Sequence, residues 1–540
     1  MTFELRDKDL LGRIGRLKTK KGQIETPAFM PVINPLKQII SPSEMYYDFG
    51  CKIIITNAYI IKKNFKNFPA IDIHEFLNYP GVVMTDSGAY QILVYGEIDL
   101  TQEEIINFQK NISTDIGVIL DIPTGWDLPR AEVETTVRET LRRAEEAISL
   151  IKDHEALWVG PVQGGRHLDL VSESAKKISK MPFQIHALGS PTEVMERYMY
   201  SVLVKMIMTA KLNLPPNRPL HLFGAGHPMI FSLAVALGCD LFDSASYALY
   251  ARNDRYLTPR GTIRLEKLNF LPCNCPVCSK LTAHELREKI KSERELLLLK
   301  HNLHACMTEI RKIKQAISEG SLWNLVEIRS RGHPALVSAL KTMTKYKNEI
   351  EEHASGFKGK GIFYSDHLSL ANPNLVRYWK KLNKNYGRPQ GINTLLLMKA
   401  PATTPYKEND EFKIFITELK PRISEKLHIC FYAAPYGCIP SILSETFPLS
   451  QFEIANPIDQ ETMNITITKL IEYLEKSRHS SMILYRGEEK FDKKVEEVFI
   501  KTANNISAKQ ITIKEKNPWS IDELSKLNSK LEQLFATALA

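Results

Sequence analysis

Eight short runs of nearly unbroken apolar residues recur between positions 27 and 243. They are Pro27–Val32, Lys52–Thr56, Gly81–Thr85, Gly117–Asp121, Leu157–Val162, Gln184–Leu188, Pro219–Gly224 and Cys239–Asp243. Continuous rather than alternating apolar character marks strands buried on both faces. Stretches with helical spacing separate them: Ser41–Asp48, Gln102–Ile112, Ala131–Lys152, Asp169–Ser179, Thr192–Lys211 and Pro228–Leu237. Strand alternating with helix predicts an α/β chain with a parallel sheet, and eight such strands predict closure as a (β/α)8 TIM barrel. An open doubly wound sheet is the alternative. No GxGxxG follows any of the strands, which argues against a nucleotide-cofactor domain of that kind.

Past the barrel domain, read as 1–345, the pattern changes. Lys341–Lys360 is charged and interrupted by glycine, and 346–392 reads as a connector. Within it, Pro373–Arg388 interleaves Arg377, Lys380, Lys381, Lys384 and Arg388 with Tyr378, Trp379 and Tyr386. That pattern is shared by RNA-contacting surfaces and by ordinary surface helices with a buried Trp. A smaller α/β accessory domain is predicted over 393–490, from strands Thr394–Ala400, Lys426–Ala434 and Met482–Tyr485 and a helix at Ile458–Ser477. Residues 491–540 read as a small C-terminal domain ending in an amphipathic helix, Ser520–Leu539. Cys430 and Cys438 read as core thiols.

Composition narrows the class. The 540 residues leave room for two to four domains, and 44% hydrophobic with 25% charged residues is ordinary for a globular chain. No run reaches the length of a membrane-spanning helix, and the start, MTFELRDKDL, lacks the apolar segment of a signal peptide. A formal net charge of +9 favours a polyanionic partner. Eight cysteines are too few for a disulfide scaffold of this length, and three fall within six residues.

Candidate chemistry gathers where the apolar runs end. The third ends in Thr85-Asp86-Ser87-Gly88-Ala89-Tyr90, the fourth in Asp121-Ile122-Pro123-Thr124 and the fifth in Gln163-Gly164-Gly165. The sixth gives Leu188-Gly189-Ser190, the seventh Gly224-Ala225-Gly226-His227, and the eighth Asp243. A strand-end Asp is as readily a helix cap. In a barrel, however, all six ends share one mouth, the face where active sites sit. Two carboxylates there would serve as nucleophile and acid/base across a sugar C1′. A third, with an amide and backbone N–H groups, would hydrogen-bond a planar heterocycle, and Tyr90 would stack on it. His227 is a weaker candidate, equally suited to a structural hydrogen bond.

Pro272-Cys273-Asn274-Cys275-Pro276-Val277-Cys278 is C-x-C-x2-C, followed by a helical stretch ending in KHNLH. Three thiolates and one imidazole make a closed, structural zinc site; the fourth ligand is His301 or His304, with His301 preferred. Such a site would pin the segment that follows Asp243.

The motifs DSGAYQ (86–91), LDIPT (120–124), VQGG (162–165), HALGS (186–190), FGAGHP (223–228), FDSASYALYARNDRYLT (242–258) and CxCxxC…HNL together resemble the archaeal tRNA-guanine transglycosylases over roughly the first 350 residues. The resemblance implies a zinc-containing TIM-barrel pentosyltransferase. Such an enzyme replaces guanine at position 15, in the D-arm of tRNA, with 7-cyano-7-deazaguanine, the entry step to archaeosine. It implies Asp243 as the nucleophile that attacks ribose C1′ and Asp86 as the general acid/base. Asp121, Gln163, the backbone at Gly189 and Ser87 would read the base, with Tyr90 as stacking face. Cys273, Cys275, Cys278 and His301 would hold one structural Zn2+. No nucleotide or redox cofactor is implied. The partners implied are tRNA, the deazaguanine and a second copy of the chain, in the cytoplasm and away from membranes. APYGCIPSILSETFPLSQFE (434–453) resembles an accessory domain shared with archaeosine synthase. Where the synthase carries its Pro-Cys-Ser…Lys-Pro-Tyr, Pro401-Ala402-Thr403-Thr404-Pro405-Tyr406 has neither that Cys nor that Lys, so the domain reads as scaffold. Archaeal members usually continue into an RNA-binding PUA domain. None is read here, which makes a PUA-bearing partner chain an expectation. The readings from other classes are a catalytically silent tRNA-binding or partner subunit and a hydrolytic glycosidase. Asp86, Asp121 and Asp243 occurring together speak for catalysis over silence.

Overall fold

The computed structural model describes residues 2–65, 72–89, 101–357 and 359–537. The chain forms two compact units, Met1–Tyr346 and Lys347–Ala540.

In the first unit, eight parallel strands close into a barrel: Ala28–Ile33, Ile53–Asn57, Val82–Asp86, Ile116–Val118, Leu157–Val162, Ile185–Leu188, Leu220–Leu222 and Leu241–Ser244. Each apolar run of the sequence supplies one of them. Closure is made by the eighth strand on the first, with Leu241 opposite Ala28 and Asp243 opposite Met30. All six residues of Leu157–Val162 are buried, as a strand between helices and barrel lumen requires. The fourth strand is shorter than its apolar run, so Asp121 lies three residues beyond it. The expected helix over 192–211 is two helices, Thr192–Glu196 and Tyr200–Asn213, parted by a turn in which Tyr198 takes φ +56°.

Residues ahead of the barrel form an antiparallel sheet of Phe3–Asp9, Gly12–Lys18 and Gln23–Thr26. Phe3, Leu17 and Ile24 pack among Ile53, Val82, Ile116, Leu157, Ile185 and Leu241, at the starts of the barrel strands. The sheet therefore stoppers the amino-terminal end and leaves the carboxyl-terminal end as the mouth. A buried ion pair fastens it. The Arg13 guanidinium donates from Nε and NH2 to the two carboxylate oxygens of Asp240, each at 2.8 Å, and Asp240 also accepts from the Leu220 N–H at 2.8 Å.

The second unit is a five-stranded sheet in the order Gly437–Pro440, Leu427–Ala433, Thr394–Lys399, Ser481–Arg486, Lys509–Lys514. The first pair is antiparallel and the rest are parallel. Residues 346–392 contribute helices Lys347–His353 and Pro373–Asn385 and strand Ile362–Tyr364. Residues beyond 490 add helix Ile521–Thr537 and the last strand of the sheet. The aromatics of 373–388 turn inward. Trp379 and Tyr378 are buried, the Trp379 indole donates to the Tyr436 carbonyl at 3.0 Å, and Tyr378 donates to the Cys438 carbonyl at 2.5 Å. Arg377 and Lys380 are paired with Glu351. This stretch is a helix of the core with a basic outer face. Cys430 and Cys438 are buried in that core. Among the described residues, no helix is long and apolar enough to cross a membrane.

Arg13→Ala would leave Asp240 charged, buried and unpaired. An equilibrium unfolding series is expected to show a loss of about 3–5 kcal/mol. A loss under about 1 kcal/mol, the range of exposed pairs, would show that the clamp is not what fastens the sheet.

Candidate active site

The three carboxylates meet at the open end. Asp86 ends the third strand, half-buried. Its Oδ2 accepts from the Asn57 amide at 3.2 Å, across the register pair Asn57–Asp86, and from the Gly88 N–H at 3.3 Å. Burial, and then the charges of Asp121 and Asp243, push its pKa up to about 7. Burial pushes Asp121 up to about 6, against the stabilising hydrogen bond from Gln163. Asp243 lies in the eighth strand. Its Oδ1 accepts from the Gly224 N–H at 2.9 Å and lies 2.8 Å from His221 Nε2. Both contacts fall on Oδ1, so Oδ2 takes no hydrogen bond from the described residues, and the side chain keeps 12% of its surface open.

A polar network sits beside the acids. Gln163 donates from Nε2 to Asp121 at 2.6 Å, and its Oε1 accepts from the Ser190 hydroxyl at 2.9 Å and the Thr124 N–H at 3.3 Å. These contacts fix the amide orientation, with nitrogen toward the carboxylate. A Cβ on Gly189 would stand 2.2 Å from Gln163 Nε2, so only glycine leaves room for that amide. The Gly189 N–H is already bonded to the Val162 carbonyl at 2.9 Å. The Ser87 hydroxyl is buried with no partner among the described residues. Tyr90 lies outside the described residues. His227 is a cap: its Nδ1 accepts from the Met229 N–H at 3.1 Å at the start of helix Pro228–Ala236, and burial lowers its pKa to about 4.

Next along the chain, the Sγ atoms of Cys273, Cys275 and Cys278 and Nδ1 of His301 all lie within 4.8 Å of one another. Nδ1 is 3.5 Å from Cys275 Sγ and 3.3 Å from Cys278 Sγ. Tetrahedral zinc, with bonds of about 2.3 Å to sulfur and about 2.0 Å to nitrogen, would separate such donors by about 3.5 Å. His301 Nε2 donates to the Leu257 carbonyl at 2.9 Å, which leaves a lone pair on Nδ1 for a metal. Tyr256 stacks on the same ring at 3.6 Å. His304 instead packs on Phe49. The donor set fits a metal ion, and it ties helix Lys291–Glu319 to the hairpin after Asp243. Asn302 adds to the tie, accepting from the Leu257 N–H at 2.9 Å and donating to the Tyr247 and Arg255 carbonyls, each at 3.1 Å.

Residues 8–335 match the family model described as queuine tRNA-ribosyltransferase. The chain belongs to this family. It is similar to the tRNA-guanine(15) transglycosylase of Saccharolobus solfataricus, 43% identical over 496 residues that cover 90% of this chain and 97% of that protein. It is likewise similar to those of Aeropyrum pernix, 50% identical over 381 residues (70% and 74%), and Pyrococcus furiosus, 44% identical over 437 residues (79% and 74%). Residues 375–531 match a domain of unknown function.

Within this transglycosylase-family site, the structure brings together Asp86, Ser87, Asp121, Gln163, Gly189 and Asp243. Sequence reasoning missed three supports. His221 was hidden as the middle residue of an apolar strand, although a lone titratable group between two leucines was a usable signal. Asn57 and Ser190 depend on strand register and loop packing, which no local pattern shows.

With a native pKa near 7 and an unfolded value near 4, Asp86 holds a proton in the folded state that the unfolded chain releases. Its contribution to stability is complete below about pH 4 and is lost as pH rises through about 7. Asp86→Asn removes that loss. It is expected to be more stable than the parent at pH 8, by about 2 kcal/mol after discounting for its open surface, and to converge with it as pH falls to about 4. Calorimetry across that range checks it; a gap that does not change with pH contradicts the raised pKa.

Proposed function

We propose that the protein exchanges guanine at position 15 of tRNA for 7-cyano-7-deazaguanine through a ribose ester on Asp243, the first step of archaeosine formation. The observation that carries the reading is the pairing of an anchored carboxylate with a proton-bearing one in one mouth. Oδ1 of Asp243 is held by Gly224 and His221 while Oδ2 stays open, and Asp86, raised by burial and then by the charges of Asp121 and Asp243, titrates near neutrality.

In the first step Oδ2 of Asp243 attacks C1′, the bond from C1′ to guanine N9 breaks, and the proton on Asp86 passes to the departing base. In the second, the Asp86 carboxylate takes the N9 proton of the incoming base. That nitrogen attacks C1′, and the Asp243 carboxylate leaves. Two displacements retain configuration, and no bond is lost to water. A pKa near 7 suits a group that must give a proton and then accept one. Asp121 and Gln163 present an acceptor and an amide to the heterocycle edge, and Ser87 offers a hydroxyl with no partner among the described residues. Tyr90 is proposed as the stacking face. The target nucleotide must leave its stack to enter. Cys273, Cys275, Cys278 and His301 would hold one Zn2+, structural because the four donors close its coordination. The same reading carries a cytoplasmic location, a homodimer and a PUA-bearing partner chain.

Incubation of tRNA transcripts with radiolabelled guanine tests this. Incorporation at nucleotide 15 is expected, and Asp243→Ala should reduce it to background while tRNA binding persists. Abasic tRNA would point to hydrolysis instead, and neither product would point to a silent subunit.

A further inference from the structure

We propose that Tyr198, stacked on His333, is a landing face for a nucleobase flanking the nucleotide drawn into the mouth; this rests on the tRNA reading above. The turn that bears Tyr198 follows the sixth barrel strand and so belongs to the rim of the mouth. Tyr198 closes helix Thr192–Glu196: its backbone is left-handed, φ +56°, its N–H donates to the Met195 carbonyl at 3.1 Å, and the next N–H, of Met199, donates to the Val194 carbonyl at 2.9 Å. Those bonds fix the backbone that carries the ring. The residue is nonetheless 51% exposed, so the ring is presented to solvent rather than packed into the core.

The ring is held in place. It lies 4.8 Å from His333 at an interplanar angle of 16°. His333 is fixed in turn, because its Nδ1 accepts from the Ala335 N–H at 3.1 Å and caps helix Pro334–Met343. Cap orients imidazole, and imidazole orients phenol. Such preorganisation lowers the entropy that a binding partner must overcome.

Charge surrounds the pair. Gly332, just before His333, lets the stem of Arg260 lie close, Cγ being 3.4 Å from where a Cβ would stand. Arg260 is exposed and forms no ion pair among the described residues. Tyr250, the next aromatic of the rim, opens onto a cavity of about 690 Å³ lined by Arg255, Arg264 and Arg287. There Asp254 is occupied by Arg294 at 2.9 and 3.1 Å, which leaves Arg255, over the Tyr250 ring, and Arg287 without a carboxylate among the described residues. An exposed aromatic face near such guanidinium groups matches unstacked RNA, which offers base faces and phosphates together. An acidic peptide would use the cations and leave the ring idle.

The test uses the full chain and tRNA transcripts carrying 2-aminopurine beside nucleotide 15. Binding to the parent protein should quench the probe, and Tyr198→Ala should abolish the quench. In the exchange assay Tyr198→Ala should raise the KM for tRNA about tenfold, with kcat and the KM for free base unchanged, while Tyr198→Phe stays within about twofold. Tyr198→Gly, which relieves the backbone, should show the same KM defect with no loss of thermal stability, separating stacking from folding. His333→Asn, which keeps a capping side chain but no ring, should raise the KM for tRNA by a smaller factor. Parental KM and quenching in both Tyr198→Ala and Tyr198→Gly would overturn the proposal and leave the exchange reading intact. Quenching by the parent without any exchange would sink the exchange reading and leave the landing face standing.

Discussion

Carboxylates drawn out of water into one cleft repel one another, and the mouth of this barrel holds three. Asp86 feels both Asp121 and Asp243, and its burial adds to their effect. All three cannot be ionised near neutrality without large cost, so one must keep a proton. Burial, and then the two neighbouring carboxylates, raise Asp86, and the supply of hydrogen bonds around the three acids is unequal. Asp243 has two contacts on one oxygen, from Gly224 and His221. Asp121 has the Gln163 amide at 2.6 Å. Asp86 has longer contacts, from the Asn57 amide at 3.2 Å and the Gly88 N–H at 3.3 Å. The least supported carboxylate is the one that becomes an acid, and the best anchored keeps an open oxygen. The division of labour proposed for Asp86 and Asp243 matches that unequal supply of donors.

The rest of the first unit resists the strain of that arrangement. The stopper sheet closes the far end, and Arg13 pairs with Asp240, a carboxylate buried there. On the near side, His301 and Asn302 of one long helix grip the backbone at Leu257, Tyr247 and Arg255, a few residues past Asp243. The Cys3His cluster, whose His301 is on the same helix, therefore sits where it braces the segment that follows Asp243.

The barrel strands were legible because a parallel strand covered on both faces must be apolar throughout, and each run is bounded by glycine or a polar turn. The cluster of cysteines was legible because metal spacing is local. The amino-terminal sheet was not: its strands mix exposed Glu4 and Arg6 with buried Phe3 and Leu17, and no long apolar run marks them. His221, Asn57 and Ser190 act through partners 22, 29 and 27 residues away, so their roles appear only once the strands are in register. The break at Tyr198 is closed by bonds from the Tyr198 and Met199 N–H groups back to Met195 and Val194, and no glycine or proline at that point announces it. In the second unit, basic residues among aromatics around Trp379 suit both an RNA surface and a surface helix with a buried Trp. The bond from the Trp379 indole to the Tyr436 carbonyl, which no local pattern shows, buries the Trp.

The central claim is that Asp243 takes up the ribose. Protein mixed with tRNA, quenched in denaturant and resolved by denaturing electrophoresis should yield a species containing both. Peptide mapping should place the nucleic acid on Asp243, and Asp243→Asn should yield no such species. An adduct that survives in Asp243→Asn, or that maps to Asp86 or Asp121, would contradict the account.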